Sequence, residues 1–211
     1  MLKSKAYKFK TYLEFFVQHL LKAICLVVFL SFLSACKPAG EASQLVATDI
    51  TGADFGQSFS LTDHTGKTRT LADFKGKAVA LFFGYTHCPD VCPTTMLDLK
   101  QTMKLLGPRA DEVQVLFVTL DPARDSQEVL AQFVPSFDKR FIGLRGDEPT
   151  IAATAATFKI YAKKVEAQGK GGYTLDHSAG MYIFDKTGKI RLYVDYGEKP
   201  ADIANDIKQI L

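Results

Sequence analysis

The chain has 211 residues, 47% hydrophobic and 23% charged, with sixteen phenylalanines and no tryptophan. That suits one ordinary domain plus a tail and excludes both a second full domain and bulk disorder. The formal charge of +3 is local: Lys3, Lys5, Lys8, Lys10 and Lys22, against Glu14, lie in the first 35 residues, leaving 21 basic and 22 acidic residues beyond them. A nucleic-acid partner, which needs a clustered basic face, is excluded on that balance.

The N-terminus reads as an export signal. Lysines precede "AICLVVFLSFLSA", residues 23–35, and Cys36 follows, the order of a charged region, a short apolar region and a small-residue cleavage site. Thirteen mostly apolar residues fall short of the ~20 that span a bilayer core. Leu33-Ser34-Ala35-Cys36 resembles a bacterial lipobox, which implies that residues 1–35 are a lipoprotein-type signal peptide and that Cys36 carries lipid. Phe15, Phe16 and Val17 support a competing reading, an uncleaved anchor reaching back to Tyr12. Either way the domain is expected in the bacterial cell envelope, facing the periplasm and anchored to the membrane.

Residues 36–47, small and polar, read as a tether, and residues 48–211 as the folded domain. "FSLT" (59–62) and "KTRTL" (67–71) flank a turn-forming "DHTG" and read as a β-hairpin. "AVALFFG" (78–84) is a continuous apolar run, the pattern of a strand covered on both faces. Met96, Leu99, Met103 and Leu106 recur at helical spacing, so residues 93–106 are expected to be helical until Gly107-Pro108.

"VQVLFVTL" (113–120) is the next buried strand, "SQEVLAQFV" (126–134) a helix capped by Ser126, "FIGL" (141–144) a strand and "PTIAATAATFKI" (149–160) a helix with proline in its first turn. "YAKKVEA", "YTLDHS", "GMYIFD" and "IRLYVDY" follow as strands and connections around a "QGKGG" loop and a "KTGK" turn, and residues 200–211 close as a helix. Strand–helix alternation followed by a hairpin implies an α/β sandwich with a mixed central sheet. "DHTGK" (63–67) and "DKTGK" (185–189) read as two turns with the same chemistry, neither an internal repeat nor a calcium loop.

Of four cysteines, Cys25 and Cys36 belong to the N-terminal segment, so only Cys88 and Cys92 are left to the domain. One close pair is not a disulfide scaffold, and a clip that short closes too small a loop to stabilise much. The pair follows the buried strand 78–84 at the carboxyl edge of the sheet, where open α/β folds place their sites. Pro93 suits the start of a helix, which makes Cys92 the expected N-cap, with a thiol pKa lowered by the helix dipole. The spacing alone fits either a disulfide or two ligands of one ion. Among the histidines, His64 reads as a solvated turn residue, His87 as a neighbour that tunes the cysteines, and His177 as either a structural residue or a sheet-edge partner of the cysteine loop.

"FFGYTHCPDVCPTTM", "VTLDPARD" and "YTLDHSAGMYIFD", in this order, resemble the Sco/SenC family of copper-binding assembly factors for cytochrome c oxidase, from about Gly56 to the C-terminus. The resemblance implies a membrane-tethered, thioredoxin-like domain binding copper, as Cu(I) or Cu(II), through Cys88, Cys92 and His177. It implies an outer role for Asp121, near the ligands or as a docking charge, and Asp176 adjoins the histidine. The expected function is metallochaperone rather than enzyme, with reversible Cys88–Cys92 disulfide formation gating binding. The expected partner is a copper-site subunit of the oxidase or another periplasmic copper carrier.

Two thiolates select Cu(I) and an imidazole accommodates Cu(II), so the mixed donor set suits both. The main rival is a thiol-disulfide oxidoreductase acting on cysteines of a partner copper site. It typically carries CxxC and a facing cis-proline, whereas this chain has CxxxC and "DHSAGM". A peroxiredoxin-like peroxidase has only Thr86 in its favour.

Overall fold

The computed structural model describes residues 44–166 and 172–211, together with Lys22. The signal, Cys36, most of the tether and most of the "QGKGG" loop lie outside the described residues. A compact unit runs from Leu45 to Leu211. Among the described residues, no helix is long and apolar enough to cross a membrane.

In chain order the elements are β1 (Thr48–Asp49), β2 (Ser60–Asp63), β3 (Thr68–Thr70), β4 (Ala78–Gly84), α1 (Val91–Leu106), β5 (Val113–Thr119), α2 (Gln127–Phe137), β6 (Ile142–Arg145), α3 (Glu148–Thr157), β7 (Ala162–Glu166), β8 (Tyr173–His177), β9 (Met181–Phe184), β10 (Ile190–Val194) and α4 (Pro200–Ile210). Eight strands form one mixed sheet in the order β1-β10-β9-β4-β5-β6-β2-β3, while β7 and β8 pair only with each other. β4, β5 and β6 are parallel, and β9 and β2 are antiparallel to their neighbours β4 and β6. This is the expected thioredoxin-like sandwich, with the β2–β3 hairpin at one edge.

The two central strands are buried at every residue, as their unbroken apolar sequence requires. Alternation sends successive β4 side chains to opposite faces. Phe82 meets Phe117 at 6.1 Å on one face, and Phe83 meets Phe158 at 5.3 Å on the other. On the Phe82 face α1 buries Met96, Leu99, Met103 and Leu106 and packs against α4. α2 begins at its Ser126 cap, whose hydroxyl accepts from the Val129 N–H. It runs through Pro135 to Phe137, beyond the expected end, with the Ser136 hydroxyl donating to the Phe133 carbonyl at 2.6 Å. The short β1 and the 3-10 turns Leu71–Phe74 and Gly107–Glu112 have no period in the sequence.

The two "D-x-T-G-K" turns are built alike. In each, an aspartate carboxylate accepts from the threonine N–H and hydroxyl and from the lysine N–H, at 2.8, 2.6 and 3.0 Å for Asp63 and at 2.8, 2.6 and 3.2 Å for Asp185. The similarity extends two residues further, because Arg69 pairs with Asp63 and Arg191 with Asp185. Gly66 and Gly188, at φ +88° and +83°, occupy the left-handed position that favours glycine. His64 departs from expectation: its Nδ1 accepts the Gly143 N–H at 3.0 Å and its own N–H donates to the Gly143 carbonyl at 2.9 Å. It stitches β2 to β6 instead of sitting free in solvent.

Candidate metal centre

Antiparallel pairing explains how a distant histidine reaches the cysteines. Met181, the first residue of β9, lies opposite Phe82 near the carboxyl end of β4, so the segment leading into β9 passes the loop that leaves β4. His177 ends β8 four residues before Met181 and arrives beside that loop. The donor atoms of Cys88, Cys92 and His177 all lie within 4.8 Å of one another. Both cysteines are free thiols. Cys92 Sγ is 3.5 Å from His177 Nε2, and Cys88 Sγ accepts the Cys92 N–H at 3.4 Å.

His177 Nδ1 lies 2.7 Å from the Ser178 carbonyl oxygen. A carbonyl only accepts, so Nδ1 carries the proton and Nε2 presents its lone pair toward the sulfurs. Burial lowers the histidine pKa, partly opposed by the Ser178 hydrogen bond and by the charge of Asp176. The neutral imidazole is thus the form held at neutral pH, as a metal ligand must be. The ring meets Tyr85 edge-on at 5.9 Å and Phe82 at 6.4 Å.

The helix start corrects the expectation for Cys92. α1 begins at Val91 with Asp90 as N-cap, so Cys92 lies inside the first turn, 0% exposed, and Pro93 follows where a missing N–H still costs no intrahelical bond. Burial pushes the Cys92 thiol pKa up, not down. Cys88 takes the place expected for Cys92: against the cost of its own burial, hydrogen bonds from the Asp90 and Cys92 N–H groups lower its thiol pKa. Gly84 makes room for the buried sulfur, since a Cβ there would sit 2.8 Å from Cys92 Sγ.

This asymmetry has a measurable consequence. Iodoacetamide at neutral pH is expected to modify half-exposed Cys88 at least about tenfold faster than buried Cys92. Timed quenching and peptide mass spectrometry read the two rates, and equal rates would refute the assignment.

The outer residues divide. Asp176 is exposed on β8 and acts on His177 through its charge. His87 is exposed, its Nδ1 3.0 Å from Thr86 Oγ1 and 3.7 Å from Asp125, and it is not one of the three clustered donors. Asp121 is 0% exposed, with Arg124 Nε and Tyr173 Oη donating to its carboxylate. Enclosed in this way, its carboxylate is committed to those two side chains and is not presented as a docking charge.

Sequence reasoning passed over Arg124, Tyr173, Tyr85 and Asp125. Buried Asp125 accepts from Thr86 N at 3.0 Å, Thr86 Oγ1 at 2.6 Å and Thr119 Oγ1 at 2.6 Å, tying the start of the cysteine loop to the end of β5. The available signal was "DPARD", which sets Arg124 three residues after Asp121 and Asp125 beside it.

A model of the SCO1/SenC family matches residues 47–211. This chain belongs to the SCO1/SenC family. It is 39% identical over 140 residues to the mitochondrial SCO2 homolog of Danio rerio, covering 65% of this chain and 49% of that protein. With an SCO2-like protein of Rickettsia felis it shares 31% identity over 154 residues, covering 72% of this chain and 75% of the other. Among solved structures, that of Bradyrhizobium japonicum ScoI with copper bound matches at a TM-score of 0.68 and 39% identity, over 74% of this chain and 99% of that one. The chain spans about half the length of the first curated relatives it matches.

Proposed function

We propose that this SCO1/SenC protein is a copper carrier that delivers the ion during cytochrome c oxidase assembly. Cys88 and Cys92 bind as thiolates and His177 as imidazole through Nε2. The observation that carries the reading is the three-donor cluster, with Nδ1 of His177 already committed to Ser178. Two sulfurs and one nitrogen form a soft, open set suited to Cu(I) and also able to hold Cu(II). The 39% identical Bradyrhizobium ScoI, whose structure has copper bound, supports the same choice of ion. Lipidated Cys36 would anchor the domain on the periplasmic side of a bacterial membrane, within reach of an oxidase copper-site subunit or another periplasmic carrier. Asp176 and His87 complete the surroundings, Asp176 by its charge on His177 and His87 through Thr86.

A second reading, thiol-disulfide exchange with a partner's copper-site cysteines, is favoured by one observation: a half-exposed cysteine of lowered pKa stands beside a buried one of raised pKa. Cys88 would attack the partner's disulfide and Cys92 would resolve the mixed disulfide, so the Cys88–Cys92 bond forms as the partner gains two electrons. The same bond would withdraw both sulfurs from copper and gate its binding.

Copper titration of the purified protein tests the carrier reading. Stoichiometric binding is expected, and because Cys92 is protonated at neutral pH and must bind as thiolate, each binding event releases its proton. Affinity should therefore rise with pH. Stoichiometric, pH-independent binding in Cys92→Ser would remove the ligand assignment, and rapid insulin reduction without copper affinity would favour the exchange reading.

A further inference from the structure

The strand that carries His177 is weakly held by its own backbone. β7 and β8 form a separate two-stranded ribbon outside the main sheet, and such a ribbon alone is marginal in water. β7 is exposed at every position, and Leu175 is the only fully buried side chain of β8. A cavity of about 290 Å³, lined by Leu120, Ile151, Ala155, Ile160 and Leu175 among others, lies between the ribbon and α3. Apolar packing beneath the ribbon is correspondingly thin. The Lys164–Glu148 ion pair at 2.9 Å joins two exposed side chains, and pairs of that kind hold little.

Arg124 supplies what the backbone does not. Its Nε donates to the buried carboxylate of Asp121, and its Nη1 donates to the Tyr173 carbonyl at 2.9 Å. Its guanidinium lies 3.7 Å from the Tyr173 ring centroid and 5.7 Å from that of Tyr85. The hydroxyl of Tyr173 donates to the same Asp121 at 2.7 Å. Tyr85, immediately after β4, accepts the Leu175 N–H at 3.2 Å and packs against the His177 ring. The contacts thus run from the end of β5 to the first residue of β8, and from the end of β4, through Tyr85, to its third and last.

We infer that Arg124 is a positioning residue for His177: its guanidinium, clamped by Asp121 and stacked on Tyr173, latches the β7–β8 ribbon so that the imidazole stands beside the two sulfurs. The inference deepens the proposed copper role and rests on it for its metal readout. The latch itself is a property of the metal-free protein.

Two measurements test it together. Without metal, amide hydrogen exchange at Leu175 and His177 is expected to accelerate about tenfold or more in Arg124→Ala, while exchange within β4 and β5 stays as in the wild type. With copper, competition titration is expected to show about 10–100-fold weaker Cu(II) binding, the usual consequence of losing a group that orients a ligand. Arg124→Lys keeps the charge but loses the planar fork and the stack, so it should reproduce most of that loss, and it carries the test if the alanine variant does not fold.

In a His177→Ala background the Arg124→Ala effect should shrink to less than about twofold, because only the histidine depends on the latch. Persistence of the full loss in that background would show general structural support and overturn the inference, as would unchanged exchange at β8. If the wild type binds no copper, the proposed function falls, and the metal-free exchange still decides the latch.

Discussion

His177→Ala is expected to lower Cu(II) affinity by more than about 100-fold, beyond the upper end of what the loss of an outer partner costs. Cu(I) affinity should fall much less, because both thiolates of Cys88 and Cys92 remain and are the donors a soft ion prefers. The difference follows from the site's geometry. Nε2 is the one nitrogen donor among the three clustered groups, 3.5 Å from Cys92 Sγ, and Nδ1 is tied to the Ser178 carbonyl. Competition titrations in each oxidation state, with EPR for nitrogen coupling to Cu(II), provide the check. Equal loss in both states, or nitrogen coupling that survives the substitution, would remove His177 from the ligand set.

Asp125→Ala is expected to cost about 3 kcal/mol of folding stability, read as a lowered urea midpoint with an unchanged slope. The carboxylate is 0% exposed and accepts from Thr86 N, Thr86 Oγ1 and Thr119 Oγ1. Removing it leaves those donors short of an acceptor where water enters poorly. Asp125→Asn should recover only part of the loss, since the amide turns one acceptor atom into a donor. Copper affinity is expected to fall with stability, because the freed segment is Thr86, two residues before Cys88. A midpoint within experimental error of the wild type would show that this network does not hold the cysteine loop. Exposed Asp90, whose side chain caps no N–H of α1, supplies a control whose replacement should leave the midpoint nearly unchanged.

Both predictions turn on residues that differ in how far the sequence displayed them. Cys88, Cys92 and His177 were legible because three motifs coincide in order and spacing. The sheet strands were legible because "AVALFFG" and "VQVLFVTL" are apolar without a break, a pattern that burial on both faces produces. Asp125 and Arg124 were not singled out, although they stand in a quoted motif. A charged residue in a loop reads as solvated until the structure shows what encloses it.

The thiol polarity illustrates the same limit. A proline after Cys92 correctly marked the start of a helix, yet helix ends are uncertain by one or two residues from sequence. That small shift placed Cys92 inside the first turn and moved the helix N–H groups onto Cys88. His64 was misread for a related reason: its turn is a surface feature, but the partner that fixes its ring, Gly143, lies 79 residues away.

The sequence by itself determined the fold class, the central strands and the two like-built aspartate turns, because each is written in local periodicity or turn chemistry, and its three motifs pointed to the clustered donors through the resemblance they carry. Only the tertiary structure decided which thiol is the more acidic, which imidazole nitrogen faces the sulfurs, and that the histidine rides on a ribbon outside the main sheet. Burial, which depends on segments far apart in the chain, and the backbone path, which turns the neighbouring N–H groups of Asp90 and Cys92 toward Cys88 and the Ser178 carbonyl toward His177, set those properties.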